Sequence, residues 1–212
     1  MDAIALPHPV RVAIDGVGAS GKTALADEIA NELAGMGRAV IRASIDGFHN
    51  PPEMRYARGR TSPEGYLNDS FDYDAVLFRL LRPLGPGGDR RYTAAIYDFR
   101  TESHVDSGEA EADPRSILLF DGVFILRDEL RDSWDFSIFV DARFDVTLAR
   151  ALVRDLPLFG SEAAVRERYL LRYIPGESLY LDRHRPRERA AVVMTNDDPA
   201  DALLSWRGGV PR

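Results

Sequence analysis

Eight residues limit this chain more than any other feature: Gly16-Val17-Gly18-Ala19-Ser20-Gly21-Lys22-Thr23 fits G-x-x-x-x-G-K-[ST]. It follows an apolar run, Val10 to Asp15. It precedes Thr23 to Met36, where Leu25, Ile29, Leu33 and Met36 recur at helical spacing. The segment therefore reads as strand, glycine-rich turn and helix, closed by Gly35 or Gly37. Glycines let successive backbone N–H groups turn inward as an anion nest, and the helix N-terminus adds partial positive charge. In such a loop Gly16, Gly18, Ala19, Ser20 and Gly21 would cradle phosphates. Lys22 would reach the β- and γ-phosphates, and the Thr23 hydroxyl would ligate Mg²⁺.

The rest of the chain alternates strands and helices. Ala39 to Ile45, Ser116 to Phe120, Phe136 to Val140 and Ala191 to Met194 read as strands, as does Tyr92 to Phe99. Ala75 to Leu81, Asp145 to Arg154 and Glu162 to Tyr173 read as helices. Ser116 to Phe120 is continuously apolar, as a parallel strand buried on both faces should be. The expected architecture is a three-layer α/β fold of the P-loop NTPase kind, with a mainly parallel sheet and a lid of helix and loop. Ligands then sit beyond the carboxyl ends of the strands, and four of those ends carry Asp: Asp15, Asp46, Asp121 and Asp141. One domain over 1–212 is expected, with a substrate-side loop at 47–71 and a lid at about 150–175.

With 45% apolar and 29% charged residues, the 212-residue chain can bury a core. Its net charge of −7 argues against a broad nucleic-acid interface. The absence of cysteine excludes disulfides, thiolate metal sites and cysteine nucleophiles. Met1 to Pro9 lacks a basic and an apolar region and does not read as a signal peptide. The longest apolar stretch, Ile117 to Leu126, is short and interrupted by Asp121 and Gly122, so no membrane span is expected. A cytoplasmic place and a homo-oligomer are both compatible with this composition.

The phosphate loop alone leaves the reaction open. A GTPase would be expected to carry an Asn-Lys-x-Asp guanine reader, and Lys22 is the only lysine. A kinase for a small molecule needs a carboxylate near the acceptor hydroxyl, and cationic groups that close over the transferring phosphoryl. Asp121, after an apolar run, is placed to hold Mg²⁺ beside the loop. Taken alone, the same pattern equally describes a strand followed by a turn.

At this point the chain resembles the uridine kinase family of P-loop kinases, relatives of phosphoribulokinase and pantothenate kinase. The likeness runs through I-D-G-V-G-A-S-G-K-T at 14–23, S-I-D-G-F-H at 44–49, S-P-E-G-Y-L-N-D-S-F-D-Y at 62–73, I-Y-D-F at 96–99, L-L-F-D-G-V-F at 118–124 and L-A-R-A-L-V-R-D at 148–155. It implies an ATP- and Mg²⁺-dependent transfer to the 5′-hydroxyl of a nucleoside, uridine or cytidine, within pyrimidine salvage. Asp46 resembles the general base, and Asp72 the carboxylate that binds the ribose hydroxyls. Phe48, His49 and Tyr97 resemble the aromatic walls of the nucleoside pocket. Arg150 and Arg154, four apart on one helix face, resemble lid arginines that approach the phosphates, with Arg154 counted as catalytic beside Lys22 and Asp46.

Each of these positions also has a plainer reading. Asp46 and Asp72 could be caps, the aromatic side chains core, and the arginines a solvated face. The chain also departs from the family pattern. Leu158-Phe159-Gly160 and Ser161 stand where eukaryotic members carry further lid arginines, which leaves Arg166, Arg168 or Arg172 to substitute. The pyrimidine-reading His falls on Glu102 or Ser103, with His104 slightly displaced. Asp121 replaces Glu in many relatives, and Asp46-Gly47-Phe48-His49 replaces Asp-x-Phe-Tyr. Two rival readings follow: a kinase for another hydroxyl metabolite, such as a riboside, pantothenate-like or sugar-phosphate compound, and a catalytically silent nucleotide-binding protein.

Overall fold

A strand that is apolar on both faces must be covered on both, and this requirement organises the molecule. The computed structural model describes residues 6–207. Residues 1–5 of the N-terminal segment read above for a leader lie outside them. Six strands form the central sheet: β1 Val10–Gly16, β2 Val40–Ser44, β3 Ile117–Gly122, β4 Phe136–Asp141, β5 Val192–Thr195 and β6 Leu203–Trp206. Their order is β6-β5-β4-β1-β3-β2, parallel except for β6, which runs antiparallel to β5. Every residue of β1 and of β3 is buried.

Side-chain alternation divides the core between two layers. Val12, Ile14, Leu119, Ile138 and Val140 point to one face and pack with Ala26 and Leu33 of helix α1, Lys22–Gly35. Ala13, Ala43, Leu118, Phe120 and Phe139 point to the other, against a thicker layer that includes Phe48, Leu67, Leu80 and Tyr180. Helices α2, Pro63–Asp69, and α3, Tyr73–Val76, belong to that second layer, and α3 continues as a π turn, Leu77–Leu81. After β4 come α4, Phe144–Arg154, α5, Glu162–Arg168, and α6, Ile174–His184. The expected three-layer α/β fold with a mainly parallel sheet is the one found. Among the described residues, no helix is long and apolar enough to cross a membrane.

Three elements differ from the sequence reading. Tyr92 to Phe99 is not one strand but parts of two short ribbons, Arg91–Tyr92 with Ala110–Glu111 and Tyr97–Asp98 with Ser103–His104. Its backbone bonds are diverted: Thr93 N donates to Arg79 O, and Ile96 N donates to Gly47 O. The irregular stretch after Asp46 contains α2, whose start is signalled by Ser62-Pro63; Ser62 Oγ accepts from Gly65 N at 3.0 Å. The helix expected to end at Tyr173 continues through a π turn, Tyr169–Tyr173, into α6. Pro175 lacks an N–H and disfavours helix at the residue before it, and the wider turn absorbs that defect.

The carboxyl ends of β1 and β3 lie side by side, with Asp15 opposite Gly122. From here β2 lies to one side of β1 and β4 to the other, which opens a crevice at the switch point. Gly122 is required for close packing, because a Cβ there would overlap the fully buried Ile45 side chain. Gly122→Ala should therefore lower unfolding free energy by about 1–3 kcal/mol in urea titration, and a loss under about 0.5 kcal/mol would contradict this contact.

Candidate active site

Backbone conformation shapes the loop after β1. Gly21 has φ 101° and Ala19 has φ 57°, both left-handed, and Ala19 carries the steric penalty that glycine avoids. Ser20 N closes the turn onto Val17 O at 3.2 Å. Gly16 has no space for a side chain, since a Cβ would overlap the Val140 carbonyl. Lys22 is buried, and its Nζ donates to Val17 O at 2.9 Å. Burial pushes its pKa down, while the carboxylates of Glu177 and Asp46 oppose that shift. Asp46 thus lies near enough to act on the ammonium across the crevice.

Thr23 Oγ1 donates to Asp121 Oδ2 at 2.7 Å, so the two expected metal ligands are adjacent. Arg42 Nη2 holds the other oxygen, Asp121 Oδ1, at 3.0 Å. A hydroxyl beside a carboxylate is a hard oxygen donor pair suited to Mg²⁺, which keeps several waters and takes phosphate oxygens for its remaining positions. Among the described residues no group of three or more acidic or His side chains could hold a metal.

The loop is clasped from behind by groups outside the motif. Asp15 is fully buried and accepts from Gly16 N at 2.7 Å, from Leu126 N at 3.0 Å and from the Tyr180 hydroxyl. Burial outweighs these bonds and raises its pKa to about 6. The 122–126 turn that it anchors includes Phe124, left-handed at φ 67° and 1% exposed. One turn before Tyr180 on α6, Glu177 Oε1 accepts from Gly18 N at 2.8 Å. Asn196 Nδ2 donates to Ser20 O at 2.7 Å.

Of the two arginines expected in the lid, Arg150 is committed to backbone: its Nη2 donates to Asn196 O and Asp197 O, both at 2.9 Å. It thereby steadies the residue that holds Ser20. Arg154 forms a two-pronged pair with Asp155, at 2.7 and 3.0 Å, and donates to the Tyr169 hydroxyl at 3.0 Å. The Asp155 carboxylate keeps its guanidinium firmly charged, and Arg154 lies near enough to Lys22 and Asp46 for their charges to interact. Arg172 donates to the carbonyls of Arg55, Gly59 and Ser62, and Arg168 to Arg60 O, so both fasten the 55–62 segment.

The segments expected to bind the acceptor are joined by one antiparallel bridge. His49 pairs with Phe71, Asp72 N donates to Phe48 O at 2.8 Å, and Asn50 N donates to Ser70 O at 2.9 Å. This brings Asp46, His49 and Asp72 onto adjoining segments. The His49 ring stacks on Phe99 at 4.9 Å and meets Phe71 edge-on at 4.5 Å; burial lowers its pKa. Asp72 Oδ1 accepts from Ala75 N at 2.8 Å, the capping role weighed above. Phe48 is fully buried, packs on Phe120 at 6.1 Å and belongs to the core. Tyr97 donates to Glu102 Oε2 at 3.1 Å, and Arg55 Nη2 holds Glu102 Oε1 at 2.5 Å. His104, opposite Tyr97 in its ribbon, is exposed and meets that ring edge-on at 5.3 Å.

These features have counterparts in known proteins. The model of the phosphoribulokinase / uridine kinase family matches residues 12–184. The chain belongs to that family. It is 28% identical to a uridine kinase of Leuconostoc citreum over 194 residues, 88% of this chain and 86% of the relative. It is 29% identical to a uridine kinase of Brevibacillus brevis over 153 residues, 70% of this chain and 67% of the relative. A solved structure of a possible uridine kinase from Bacillus stearothermophilus superposes with a TM-score of 0.70 at 24% identity, over 90% of this chain and 91% of that one, a likeness in fold. The chain is accordingly a phosphotransferase with an alcohol acceptor.

Sequence reasoning missed Asp155, Tyr169, Glu177, Tyr180 and Asn196. The first two fall within the segment expected as lid, but only folding shows that they grip Arg154. Glu177 and Tyr180 lie beyond Pro175, where the helix was expected to have ended. Asp15 was visible as a strand-end carboxylate without a role. Its raised pKa gives a sign that can be checked. The stability contributed by this group is full below its unfolded value near 3.8 and is lost as pH rises through about 6. Between pH 4.5 and 7, urea unfolding should move by about 2 kcal/mol in favour of Asp15→Asn relative to wild type. An unchanged difference would contradict the assigned burial cost.

Proposed function

We propose that this protein transfers the γ-phosphoryl group of ATP to the 5′-hydroxyl of uridine or cytidine. The observation that carries the reading is the meeting, at the ends of β1, β2 and β3, of a buried phosphate-loop lysine, the Thr23–Asp121 pair and the Asp46 carboxylate. Bound Mg²⁺, held by Thr23 and Asp121, would supply charge neutralisation at the phosphates. Lys22 and the amides from Gly16 to Thr23 hold the β- and γ-phosphates. Asp46 accepts the proton of the hydroxyl as its oxygen bonds to phosphorus; the bond to the β-phosphate oxygen breaks and ADP leaves. Arg154, fixed by Asp155 and Tyr169, faces the charge that spreads over the transferring group. Arg150 works through Asn196 on the loop.

On the acceptor side, Asp72 takes the ribose diol with the carboxylate oxygen not used for capping. His49 and Phe99 form the aromatic wall. Phe48 supports this wall from the core. A cytoplasmic place in pyrimidine salvage is in keeping with this chemistry.

Within this reading Glu102 favours cytidine, and a second reading keeps the transfer and changes the acceptor to another hydroxyl compound. The resemblance places a base-reading His at Glu102 or Ser103, and Glu102 here is a carboxylate held by Arg55 and Tyr97. Such a group accepts hydrogen bonds from an amino edge, as on cytosine, and offers no donor to a uracil carbonyl. ADP release measured over a panel of nucleosides, pantothenate-like compounds and sugar phosphates separates the two readings. Cytidine ahead of uridine is expected, and silence with both would transfer the assignment to another acceptor.

Asp46→Asn should reduce turnover by about a hundredfold or more while leaving ATP affinity unchanged or tighter, since it removes a negative charge near Lys22. Equal loss of turnover and of ATP binding would defeat the general-base role.

A further inference from the structure

Glu177 is used by none of the steps above, yet it touches the phosphate loop directly. It is 1% exposed, and its Oε1 accepts the Gly18 N–H at 2.8 Å. Its Oε2 is buried with no hydrogen-bond partner. Residue 18 must be small for this contact, because a Cβ there would lie 3.0 Å from Oε1 and 3.5 Å from the Tyr169 hydroxyl. The carboxylate is carried by α6, which Tyr180 fixes one turn later onto Asp15 at the base of the same loop. Its placement is therefore rigid. On the other side α6 packs against the acceptor segment, where Gly176 lies close to Tyr66 and to the Pro63 carbonyl.

A buried carboxylate beside a nest for a polyphosphate poses an electrostatic problem. Like charges sharing a low-dielectric site cannot both stay ionised without cost, and a proton is the cheapest way to remove one of them. The charged groups facing Glu177 do not remove the conflict. Lys22 from the loop and Arg154 from α4 favour its ionised form, Asp15 from β1 opposes it, and the hydroxyls of Tyr66 and Tyr169 border it. A triphosphate would draw Lys22 and Arg154 onto itself and leave the carboxylate less compensated.

We propose that Glu177 is a nucleotide-site residue that takes up a proton from solvent on Oε2 as the nucleotide triphosphate binds, so that affinity for the nucleotide is linked to pH. This rests on the ATP reading given above and adds a positioning residue to it. Burial already raises the Glu177 pKa to about 7, so the linkage falls near neutral pH. Below that value the group is neutral before binding and little proton moves. Above it, each binding event must protonate the carboxylate, and affinity declines as pH rises. In neutral form Glu177 still accepts from Gly18 N–H through Oε1, so the loop keeps its shape.

The test is calorimetric titration of the full chain with Mg²⁺ and a non-hydrolysable ATP analogue at pH 7.5, in two buffers of different ionisation enthalpy, for wild type and Glu177→Gln. Glutamine keeps the acceptor oxygen and cannot titrate, and protons bound by the nucleotide or other groups cancel in the comparison. Wild type should take up about half a proton more than the variant per nucleotide bound, and should lose about three- to fivefold more affinity between pH 7 and 8. Equal proton counts and equal pH slopes would overturn the proposal even with altered melting temperatures, because a purely structural role moves stability without moving protons. If the glutamine variant does not fold, Glu177→Met serves as the non-titrating comparison. No binding heat from wild-type protein would overturn the ATP reading itself and this inference with it, an outcome distinct from binding without the extra proton.

Discussion

A glycine-rich loop at a helix N-terminus gathers backbone N–H groups whose positive dipole must be met by anions or carbonyls, and the fold around this site follows from that demand. Asp15 answers Gly16, Glu177 answers Gly18, and the Val17 carbonyl takes the Lys22 ammonium. Two of these three groups are carboxylates, both fully or almost fully buried and both pushed upward in pKa by that burial. A site designed by its backbone to favour anions thus carries anions of its own. The same constraint explains why α6, far along the chain, must dock where it does.

The division of labour between layers is equally physical. On one face α1 and the even positions of β1 form a dry core that fixes where Lys22 and Thr23 begin their helix. On the other face the 45–81 segments and α6 pack a thicker apolar layer against the same strands. Arginine, so abundant in this chain, mostly serves as a fastener. Arg42 holds Asp121, Arg172 gathers three carbonyls of the 55–62 segment, and Arg150 takes two beyond β5. The planar fork of guanidinium suits such multiple bonds, whereas the one lysine sits buried at the end of the G-x-x-x-x-G-K-[ST] loop with its ammonium on the Val17 carbonyl.

Local pattern made the sheet legible. Val10 to Asp15 and Ser116 to Phe120 are apolar without interruption because both faces are covered, and helical spacing marked α1 and α4. The family resemblance and the loop were legible for the same reason, since their chemistry depends on contiguous residues. What escaped depends on long-range closure. Glu177 and Gly18 are separated by 159 positions, and Tyr180 and Asp15 by 165, so no spacing rule links them. Pro175 concealed the helix that carries both Glu177 and Tyr180, because a proline ordinarily ends a helix and here a π turn accommodates it. Tyr92 to Phe99 misled in the opposite direction: its composition suits a strand, yet its backbone groups find partners in Arg79 and Gly47.

The central claim is that the phosphate loop and Asp46 work together on one acceptor hydroxyl. The most direct measurement follows the phosphoryl group itself, using ATP labelled at the γ-phosphate with uridine or cytidine and Mg²⁺, and assigning the product by chromatography and phosphorus NMR. The account predicts label on the 5′-oxygen of the nucleoside, one monophosphate formed for each ADP released. Label recovered only as inorganic phosphate, or on a ribose 2′- or 3′-oxygen, would contradict it.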